Sequence, residues 1–461
     1  MPLLGAFIVP HPPLIVPEIG RGQELKIQKT IDAYNEVAKR IATLKPETLI
    51  VISPHSVSYA DYFHIASGLK AEGSFQDFGE PNVKISVEYD EELVNTISNL
   101  AAQEKISAGT LGTKSKRLDH GVMIPLYYIN LQYKKYKVVQ ISLSGLSPLI
   151  HYRFGKCIAE AIEKIGKKVI IIASGDMSHK LKADGPYGLS KDGPVFDMEA
   201  TEAMAKGDFL KLLSFEEDFC ESAAECGLRS FQIMSGAFDG KAVKSELLSY
   251  EGPFGVGYAV AAFTIIGNDE NRCLDDIFEK QETIRLENVK SKEDMYVHLA
   301  RQSLEYYVKN GKRLTMPSNL SNEITQQKAG VFVSLKMNGR LRGCIGTISP
   351  TTASIAAEII RNAVSAGRED PRFDPVEEYE LPYLVYDVDV LGKAERISSM
   401  KELDVKRYGV IVSYNGRRGL LLPDLEGVDT PQKQIDIALQ KGGISQNEKY
   451  SMERFEVIRH K

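Results

Sequence analysis

Four of the eight histidines lie where a predicted strand ends or in a polar turn. His11 follows an apolar run in FIVPHPP, and His55 follows the run TLIVIS in a second Pro-His step. His179 comes after the run VIIIA, and His120 lies in the turn RLDHG before an apolar segment. Imidazole nitrogens bind metal ions and transfer protons near neutral pH. The pattern therefore predicts a metal or acid–base site.

The order of the predicted elements indicates how two of these histidines would meet. Apolar runs at 4–9 and 48–53 predict strands, and the periodicity of 22–44 predicts a helix between them. Such a βαβ unit has parallel strands whose carboxyl ends lie at one edge of the sheet. We expect the two strands to be neighbours, about 5 Å apart, so that His11 and His55 share one metal ion.

A metal held by two histidines needs a third, anionic ligand. The candidates are Glu225 and Cys226 in ESAAECGLRS, and Glu251 in SYEGPFGVGY. Two imidazoles and one carboxylate suit Fe(II) and leave positions for O2 and a substrate, whereas a thiolate favours a softer metal. We place Glu225 first and keep Cys226 as the alternative.

The first part of the chain is predicted to be an α/β domain. Near-continuous apolar strands alternate with helices, which indicates a mostly parallel sheet covered by helices on both faces. The predicted strands are 4–9, 48–53, 137–143, 168–173 and 256–266, and the predicted helices are 22–44, 153–165 and 201–213.

A change of composition separates the second part of the chain. The segment 268–290 is rich in charge and has no strand pattern, which indicates a linker or a bridging helix. We predict a first domain at 1–267, a linker at 268–288 and a second domain at 289–461. Beyond the linker, an amphipathic helix precedes short strand-like runs and two Asn-Gly turns, which predict an α+β domain with antiparallel pairing. These elements are the helix 296–308, the runs 330–336, 382–391, 409–414 and 419–422, and the turns 338–339 and 415–416.

The composition narrows the classes of protein. The chain has 461 residues, a net charge of -5 and a pI near 6.0, so we expect no nucleic-acid partner. The five cysteines are odd in number and widely spaced, so neither a disulfide framework nor a zinc ribbon is expected. No apolar stretch is long enough to span a membrane, and MPLLGAFIVPHPP lacks the basic start of a signal peptide. The expected location is the cytoplasm.

The histidine motifs resemble those of a known family. PHPPLIVPEIG, SPHS, LDHGVMIPL and SGDMSH, in this order within about 1–267, resemble the LigB fold of class III extradiol ring-cleavage dioxygenases. The same stretch is similar to the Memo proteins, a branch of this LigB fold that does not look enzymatic. The resemblance implies His11, His55 and a residue of the 225–226 turn as metal ligands, and His179 and His120 as acid–base or substrate-binding residues.

The second domain resembles the AMMECR1 domain. The match is carried by LRGCIGT (341–347), REDPRF (368–373) and YDVDVL (386–391). Cys344 lies near Arg342, whose charge would favour a reactive thiolate. No histidine is close in sequence, so we interpret Cys344 as a structural cysteine. The resemblance also implies a radical SAM protein as partner.

These observations lead to one hypothesis and two alternatives. The hypothesis is a non-haem Fe(II) oxygenase of the extradiol type, which opens a catechol-like ring with O2 and uses His179 as the proton relay. Its partner would be a small aromatic or enediol substrate, and the chain is a candidate for a homo-oligomer. The alternatives are a Memo-like metal-binding or scaffolding protein, and a redox or modification enzyme that recognises a macromolecule through the AMMECR1 domain.

Overall fold

The structure is a computed structural model that describes residues 2–113, 117–425 and 427–461. It divides into two compact units, Met1–Gln281 and Glu282–Lys461, which are described separately. Within the described residues, no helix is both long and apolar enough to cross a membrane.

Among its described residues, the first unit contains ten strands, nine α-helices and part of a tenth. The strands are β1 (Leu3–Val9), β2 (Thr48–Ser53), β3 (Phe63–His64), β4 (Lys70–Phe75), β5 (Glu80–Glu88), β6 (Ala108–Gly109), β7 (Lys137–Ser142), β8 (Val169–Ser174), β9 (Lys241–Glu251) and β10 (Tyr258–Asn268). The helices are α1 (Pro17–Gly20), α2 (Gln28–Leu44), α3 (Glu91–Gln103), α4 (His120–Asn130), α5 (Pro148–Ile165), α6 (Asp192–Lys206), α7 (Phe209–Leu213), α8 (Glu217–Ala223), α9 (Leu228–Gly236) and α10 (Leu274–Ser291), which continues into the second unit.

The central sheet has six strands in the order β7-β2-β8-β1-β10-β9. The first four are parallel, and β10 runs antiparallel to β1 and β9, which confirms the mostly parallel α/β fold. The expectation that β1 and β2 are neighbours is wrong, because β8 lies between them and pairs with both. A βαβ crossover fixes the direction of the second strand but not how many strand positions it skips. The strand that lies between β1 and β2 is β8, with the sequence VIIIAS, and all six of its residues are buried.

Successive side chains of β8 point to opposite faces of the sheet, and each face has its own hydrophobic core. Ile170 and Ile172 pack on one face with α2 and α4. Ile171 and Ala173 pack on the other face with α3, α5 and α9. The period of two is the one expected for a strand that is covered on both sides.

One predicted helix is divided and one hairpin was not predicted. The segment 201–213 forms the end of α6 and the whole of α7, because Gly207 adopts a φ of 66° and Asp208 then caps α7 through Lys211 N. The antiparallel pair β4 and β5 was not predicted, because the buried positions of β4 are Ala71, Gly73 and Phe75, and residues as small as Ala and Gly give no clear apolar alternation in the sequence.

The charge-rich segment after the first domain is mostly helical. Asn268 ends β10, a short 3-10 turn covers Glu270–Arg272, and α10 follows. The boundary between the two units falls inside α10, at Gln281.

The second unit is an α+β fold, as predicted, built on two four-stranded antiparallel sheets ordered β12-β11-β13-β18 and β14-β17-β15-β16. Both Asn-Gly pairs form hairpin turns with positive φ at each residue. The strands are β11 (Val331–Met337), β12 (Arg340–Gly346), β13 (Leu384–Leu391), β14 (Glu395–Ile397), β15 (Gly409–Tyr414), β16 (Arg417–Leu421), β17 (Ser451–Phe455) and β18 (Val457–His460), and the remaining helices are α11 (Met295–Asn310), α12 (Asn322–Gln326), α13 (Ile355–Arg368) and α14 (Pro431–Gly442).

Candidate metal centre

His11 lies just beyond β1 and is buried. Its ring Nδ1 is 2.9 Å from Ser174 Oγ at the end of β8, and its backbone N–H donates to Asp176 Oδ1 at 2.7 Å. These bonds fix the ring and turn Nε2 away from Ser174. Burial lowers the pKa of His11 well below its ordinary value, and the charge of His55 acts in the same direction, so the ring is neutral and able to bind a metal.

His55 reaches His11 across the end of β8. The loop after β2 is held by a hydrogen bond from His55 N to Ser53 Oγ at 3.2 Å. The Nε2 atoms of the two rings are 2.9 Å apart, and the ring planes are inclined by 81°. This separation is compatible with one metal ion bound to both nitrogens at about 2.0–2.1 Å.

Cys226 completes a group of three side chains that could hold a metal ion, the candidate metal-binding group. Its Sγ is 3.6 Å from His11 Nε2, and the ligand atoms of His11, His55 and Cys226 all lie within 4.8 Å of one another. The backbone N–H of Asp176 donates to Sγ at 3.3 Å. Burial raises the pKa of the Cys226 thiol well above its ordinary value, but a bound metal ion would convert the thiol to a thiolate.

The acidic candidates for the third ligand lie elsewhere. Among the described residues, the group that could hold a metal includes Cys226, the alternative, and does not include Glu225, the first choice. Glu225 Oε2 accepts a hydrogen bond from Leu228 N at 2.6 Å, so the carboxyl caps the start of α9. Burial raises its pKa to about 7. Glu251 accepts hydrogen bonds from the backbone and hydroxyl of Thr30 at the start of α2, both at 2.9 Å.

His120 adjoins the metal-binding group from the first turn of α4. Its ring centroid is 4.1 Å from that of His55 and 5.4 Å from that of His11. Burial lowers the pKa of His120 to about 4, and the charge of His55 contributes to this shift. The ring is therefore neutral near pH 7.

His179 approaches the same group from the loop after β8. Its Nδ1 lies 2.7 Å from the carbonyl of Ala224, so Nδ1 carries the proton and Nε2 is the nitrogen that can accept another. Burial lowers the pKa of His179, and electrostatic repulsion from His55 adds to this. The ring of Tyr187 packs edge-on against it, with centroids 5.2 Å apart.

A polar network that the sequence analysis missed holds the loop after β2. Asp119 Oδ1 accepts from Ser53 Oγ at 2.6 Å, and Oδ2 accepts from Ser56 Oγ at 2.6 Å and from Gln140 Nε2 at 3.2 Å. The parallel strands β2, β7 and β8 all end in serine, and these are Ser53, Ser142 and Ser174. This shared serine was the available signal for a polar edge.

Cys344 in the second unit is half-buried and makes polar contacts. Ser334 Oγ donates to its Sγ at 3.2 Å, and its backbone N–H donates to Asp370 Oδ2 at 2.9 Å. Arg342 binds both carboxylate oxygens of Glu380, at 2.7 and 3.0 Å, so its charge is directed to Glu380.

Comparison with models of protein families shows to which family the chain belongs. Residues 5–261 match the model of the catalytic LigB subunit of aromatic ring-opening dioxygenase, and residues 297–460 match the AMMECR1 model. The chain belongs to the LigB family. Its LigB domain is fused to an AMMECR1 domain, as the sequence motifs implied. LigB domains are typically metal-dependent, which agrees with the group formed by His11, His55 and Cys226.

Relatives of this LigB protein share one or both domains. A protein of Clostridium acetobutylicum is 43% identical over 470 residues and covers 100% of both chains. A protein of Thermotoga maritima is 46% identical over 171 residues, which are 37% of this chain and 98% of that protein.

Two solved structures are also similar to parts of the chain. An uncharacterised protein of Pyrococcus horikoshii is 30% identical, with a TM-score of 0.34, and covers 36% of this chain and 89% of its own. An uncharacterised protein of Escherichia coli K12 is 15% identical, with a TM-score of 0.39, and covers 57% of this chain and 99% of its own.

Proposed function

We propose that the LigB domain is an Fe(II)-dependent oxygenase that opens a catechol-like ring with O2. The observation that supports this most is the convergence of three ligand atoms, from His11, His55 and Cys226, within 4.8 Å. Two further neutral imidazoles adjoin the group. Bound Fe(II) would supply positive charge for an ionised catechol and would let electrons pass from the catechol, which is oxidised, to O2, which is reduced.

The overall reaction balances without a further reductant. Both atoms of O2 enter the product, and one carbon–carbon bond beside the diol is broken. A catechol must lose protons from its hydroxyl groups before the ring can open, so the domain needs a base near the metal that does not itself bind it.

His179 is the residue best placed to act as this base. Its Nδ1 proton is committed to the carbonyl of Ala224, which leaves the lone pair of Nε2 for the substrate hydroxyl. Because burial lowers the pKa of His179, the ring is neutral and ready to accept a proton near pH 7. His120, neutral and beside His55, would orient the substrate by hydrogen bonding.

A second candidate function follows from Cys226. A thiolate favours softer metals than a carboxylate does. The alternative is therefore a Memo-like metal-binding module without ring cleavage.

Two single variants separate ligand from base. His11→Ala should lose both bound metal and catechol-dependent O2 uptake, whereas His179→Ala should keep the metal and lose O2 uptake. Metal content is measured on protein purified without oxygen, and O2 uptake with an electrode. Metal-free His179→Ala protein would make His179 a ligand. Wild-type protein that holds metal but consumes no O2 with any catechol would favour the Memo-like module.

A further inference from the structure

Asp197 of α6 is a buried carboxylate that the proposed reaction leaves without a role. The residue is 1% exposed. Its Oδ1 accepts from the backbone N–H of Ser178 at 2.7 Å, and its Oδ2 accepts from the hydroxyl of Tyr250 at 2.6 Å. Burial raises the pKa of Asp197 to about 6, and no cation pairs with the carboxylate within the part of the chain that the structure describes. Keeping such a group buried costs free energy, which is typical of functional sites.

Ser178, the residue that Asp197 holds, directly precedes the proposed base His179. Ser178 is fully buried and is held from three sides. Its N–H donates to Asp197, its Oγ donates to the carbonyl of Ala223 at 2.8 Å, and its carbonyl accepts from Gly257 N at 2.9 Å. These bonds fix the backbone from which the imidazole of His179 extends.

The carboxylate of Asp197 has no room to shift. A Cβ atom on Gly257 would lie 2.0 Å from Asp197 Oδ2, so the carboxylate packs directly on the backbone of Gly257. The start of α6 packs on the same loop, since a Cβ atom on Gly193 would lie 2.7 Å from Ser178 Oγ. Because the groups are packed this closely, the hydrogen bond between Asp197 and Ser178 determines where the backbone of Ser178 lies.

The imidazole of His179 takes its orientation from Ser178 and from one neighbouring turn. The backbone N–H of His179 donates to the carbonyl of Ala223 at 3.2 Å, and its Nδ1 donates to the carbonyl of Ala224 at 2.7 Å. A neutral imidazole can carry its proton on either nitrogen, and the hydrogen bond that it makes determines which one. A displacement of Ser178 would lengthen the bond to Ala224 and let the proton move to Nε2, where the ring could no longer act as the base.

We propose that Asp197 is a positioning residue that, through Ser178, holds the imidazole of His179 with its proton on Nδ1 and its Nε2 lone pair available to the substrate. This proposal rests on the proposed oxygenase function, in which Nε2 accepts a proton from the catechol. Asp197 acts through Ser178 and is not a member of the candidate metal-binding group. Its removal should therefore slow the proton transfer and leave the affinity for metal unchanged.

Four variants test this role. Asp197→Ala removes the acceptor of Ser178 N, whereas Asp197→Asn keeps an oxygen there and should rescue every effect of Asp197→Ala. Tyr250→Phe is the matched control, because it removes the other hydrogen bond of the same carboxylate and leaves the bond to Ser178 in place. Asp197→Leu, which has nearly the shape of the asparagine variant, is a second variant without an acceptor, and thermal unfolding shows which variants are folded.

The tautomer of His179 is measured by NMR of the ring nitrogens in the full chain, loaded with Zn(II), which is redox-inert. The signals of His179 are identified by their loss in His179→Ala. The wild type, Asp197→Asn and Tyr250→Phe should carry the proton on Nδ1, and Asp197→Ala should show a mixture of both tautomers. With Fe(II) and a catechol, the kcat of O2 uptake should fall about 10- to 100-fold in Asp197→Ala, with KM and metal content unchanged.

An unchanged tautomer in folded Asp197→Ala overturns the positioning role. An equal change in Tyr250→Phe, metal loss in Asp197→Ala, or a wild-type proton on Nε2 does so too. If neither Asp197→Ala nor Asp197→Leu folds, Asp197 serves stability and the role is likewise overturned.

The two proposals can fail separately. A tautomer of His179 that depends on Asp197, without O2 uptake for any catechol, supports the positioning role and removes the oxygenase. O2 uptake with a tautomer that is independent of Asp197 does the reverse.

Discussion

The metal preference of the candidate metal-binding group depends on Cys226, because the other two members are neutral imidazoles. Glu225 directly precedes Cys226 in the sequence, yet the two side chains have different roles. Glu225 turns toward the start of α9 and accepts from Leu228 N, whereas Cys226 turns toward His11. The acid satisfies a backbone donor of the helix, and the thiol faces the metal-binding position.

Cys226→Ala should lower metal affinity by more than about 100-fold, because it removes a ligand and not merely a supporting hydrogen bond. Glu225→Gln is the matched control, since the amide oxygen can still accept from Leu228 N. The control should keep its metal and change the free energy of unfolding by less than about 1 kcal/mol. Metal titration of both variants checks this, and metal loss in Glu225→Gln alone would restore Glu225 as the ligand.

The sequence was sufficient to indicate the histidines of the site, but it did not determine whether Glu225 or Cys226 lies beside them. The positions of His11, His55 and His120 after strands or in turns indicate a site, and the structure brings their rings into contact. The direction of Glu225 and Cys226 depends on the turn between Ala224, which has a φ of 53°, and the start of α9. A pattern of residue types does not contain that backbone conformation.

At the level of elements, the end of β8 and the turn before α9 make a close backbone contact. A Cβ atom on Gly175 would lie 2.1 Å from Gly227 Cα, so no side chain fits between them. The carbonyl of Asp176 accepts from Gly227 N at 3.1 Å and thereby fixes the turn that carries Cys226.

Gly175→Ala should therefore weaken metal binding without removing a ligand. The added methyl group pushes the turn away from β8 and separates Sγ from the two imidazoles, and a fall in affinity of about 10- to 100-fold is expected, as for other supporting groups. Gly267→Ala is the control, because its nearest neighbour would be 3.9 Å away. Equal metal affinity in the two variants would show that the close contact does not position Cys226.

Asp90 joins α3 to the central sheet through a buried carboxylate. It accepts from Thr48 Oγ1 at 2.6 Å, from Lys167 Nζ at 2.9 Å and from Leu93 N at 3.3 Å. Burial alone would raise the pKa of Asp90, but the hydrogen bonds from Thr48 and Lys167 outweigh it and hold the pKa below its ordinary value.

Asp90→Asn should lower the free energy of unfolding by about 2 kcal/mol at neutral pH. A carboxylate with a depressed pKa stabilises the fold above the pKa of the unfolded chain, about 3.9, and this contribution is lost as the pH falls through the folded pKa. The difference between wild type and variant should therefore shrink below about pH 4 in denaturant unfolding experiments. Glu91→Gln, an exposed change in the same helix, should leave the pH profile almost unchanged. A difference that stays constant down to low pH would contradict this account.

Element types were easier to predict than element order. The apolar runs indicated the buried strands of the sheet, and the Asn-Gly pairs indicated the hairpins of the second unit. The insertion of β8 between β1 and β2 was not predictable from local pattern, because all three strands are similarly apolar and buried. Strand order is decided by the packing of the helices on both faces, which local periodicity does not describe.

At the scale of the whole molecule, two families of domain share one chain. The relative from Clostridium acetobutylicum matches over the full length, so the combination is not confined to this protein. The predicted boundaries, with a linker at 268–288, remain a prediction. The structure adds that the first part of α10 packs on the first unit, because Leu274 is buried in its core and Ile277 and Phe278 pack against that core.

This packing predicts where the first domain can be cut. A fragment 1–281 should fold alone and unfold at the temperature of the corresponding transition in the full chain. A fragment 1–267 should be less stable by several kcal/mol, because burying a side chain such as Leu274 contributes about 1.5–3 kcal/mol. The shorter fragment also loses Asp275, which pairs with Lys156 Nζ at 2.7 Å.

Calorimetry of both fragments, of 289–461 and of the full chain provides the measurement. Leu274→Ala in the full chain is the matched test, since it should lower only the transition assigned to the first unit. Equal stability of 1–267 and 1–281 would place the boundary at the end of β10, as the composition first indicated. A single transition in the full chain, with neither 1–281 nor 289–461 folding alone, would mean that the two units depend on each other for stability. The LigB and AMMECR1 domains would then unfold as one cooperative unit.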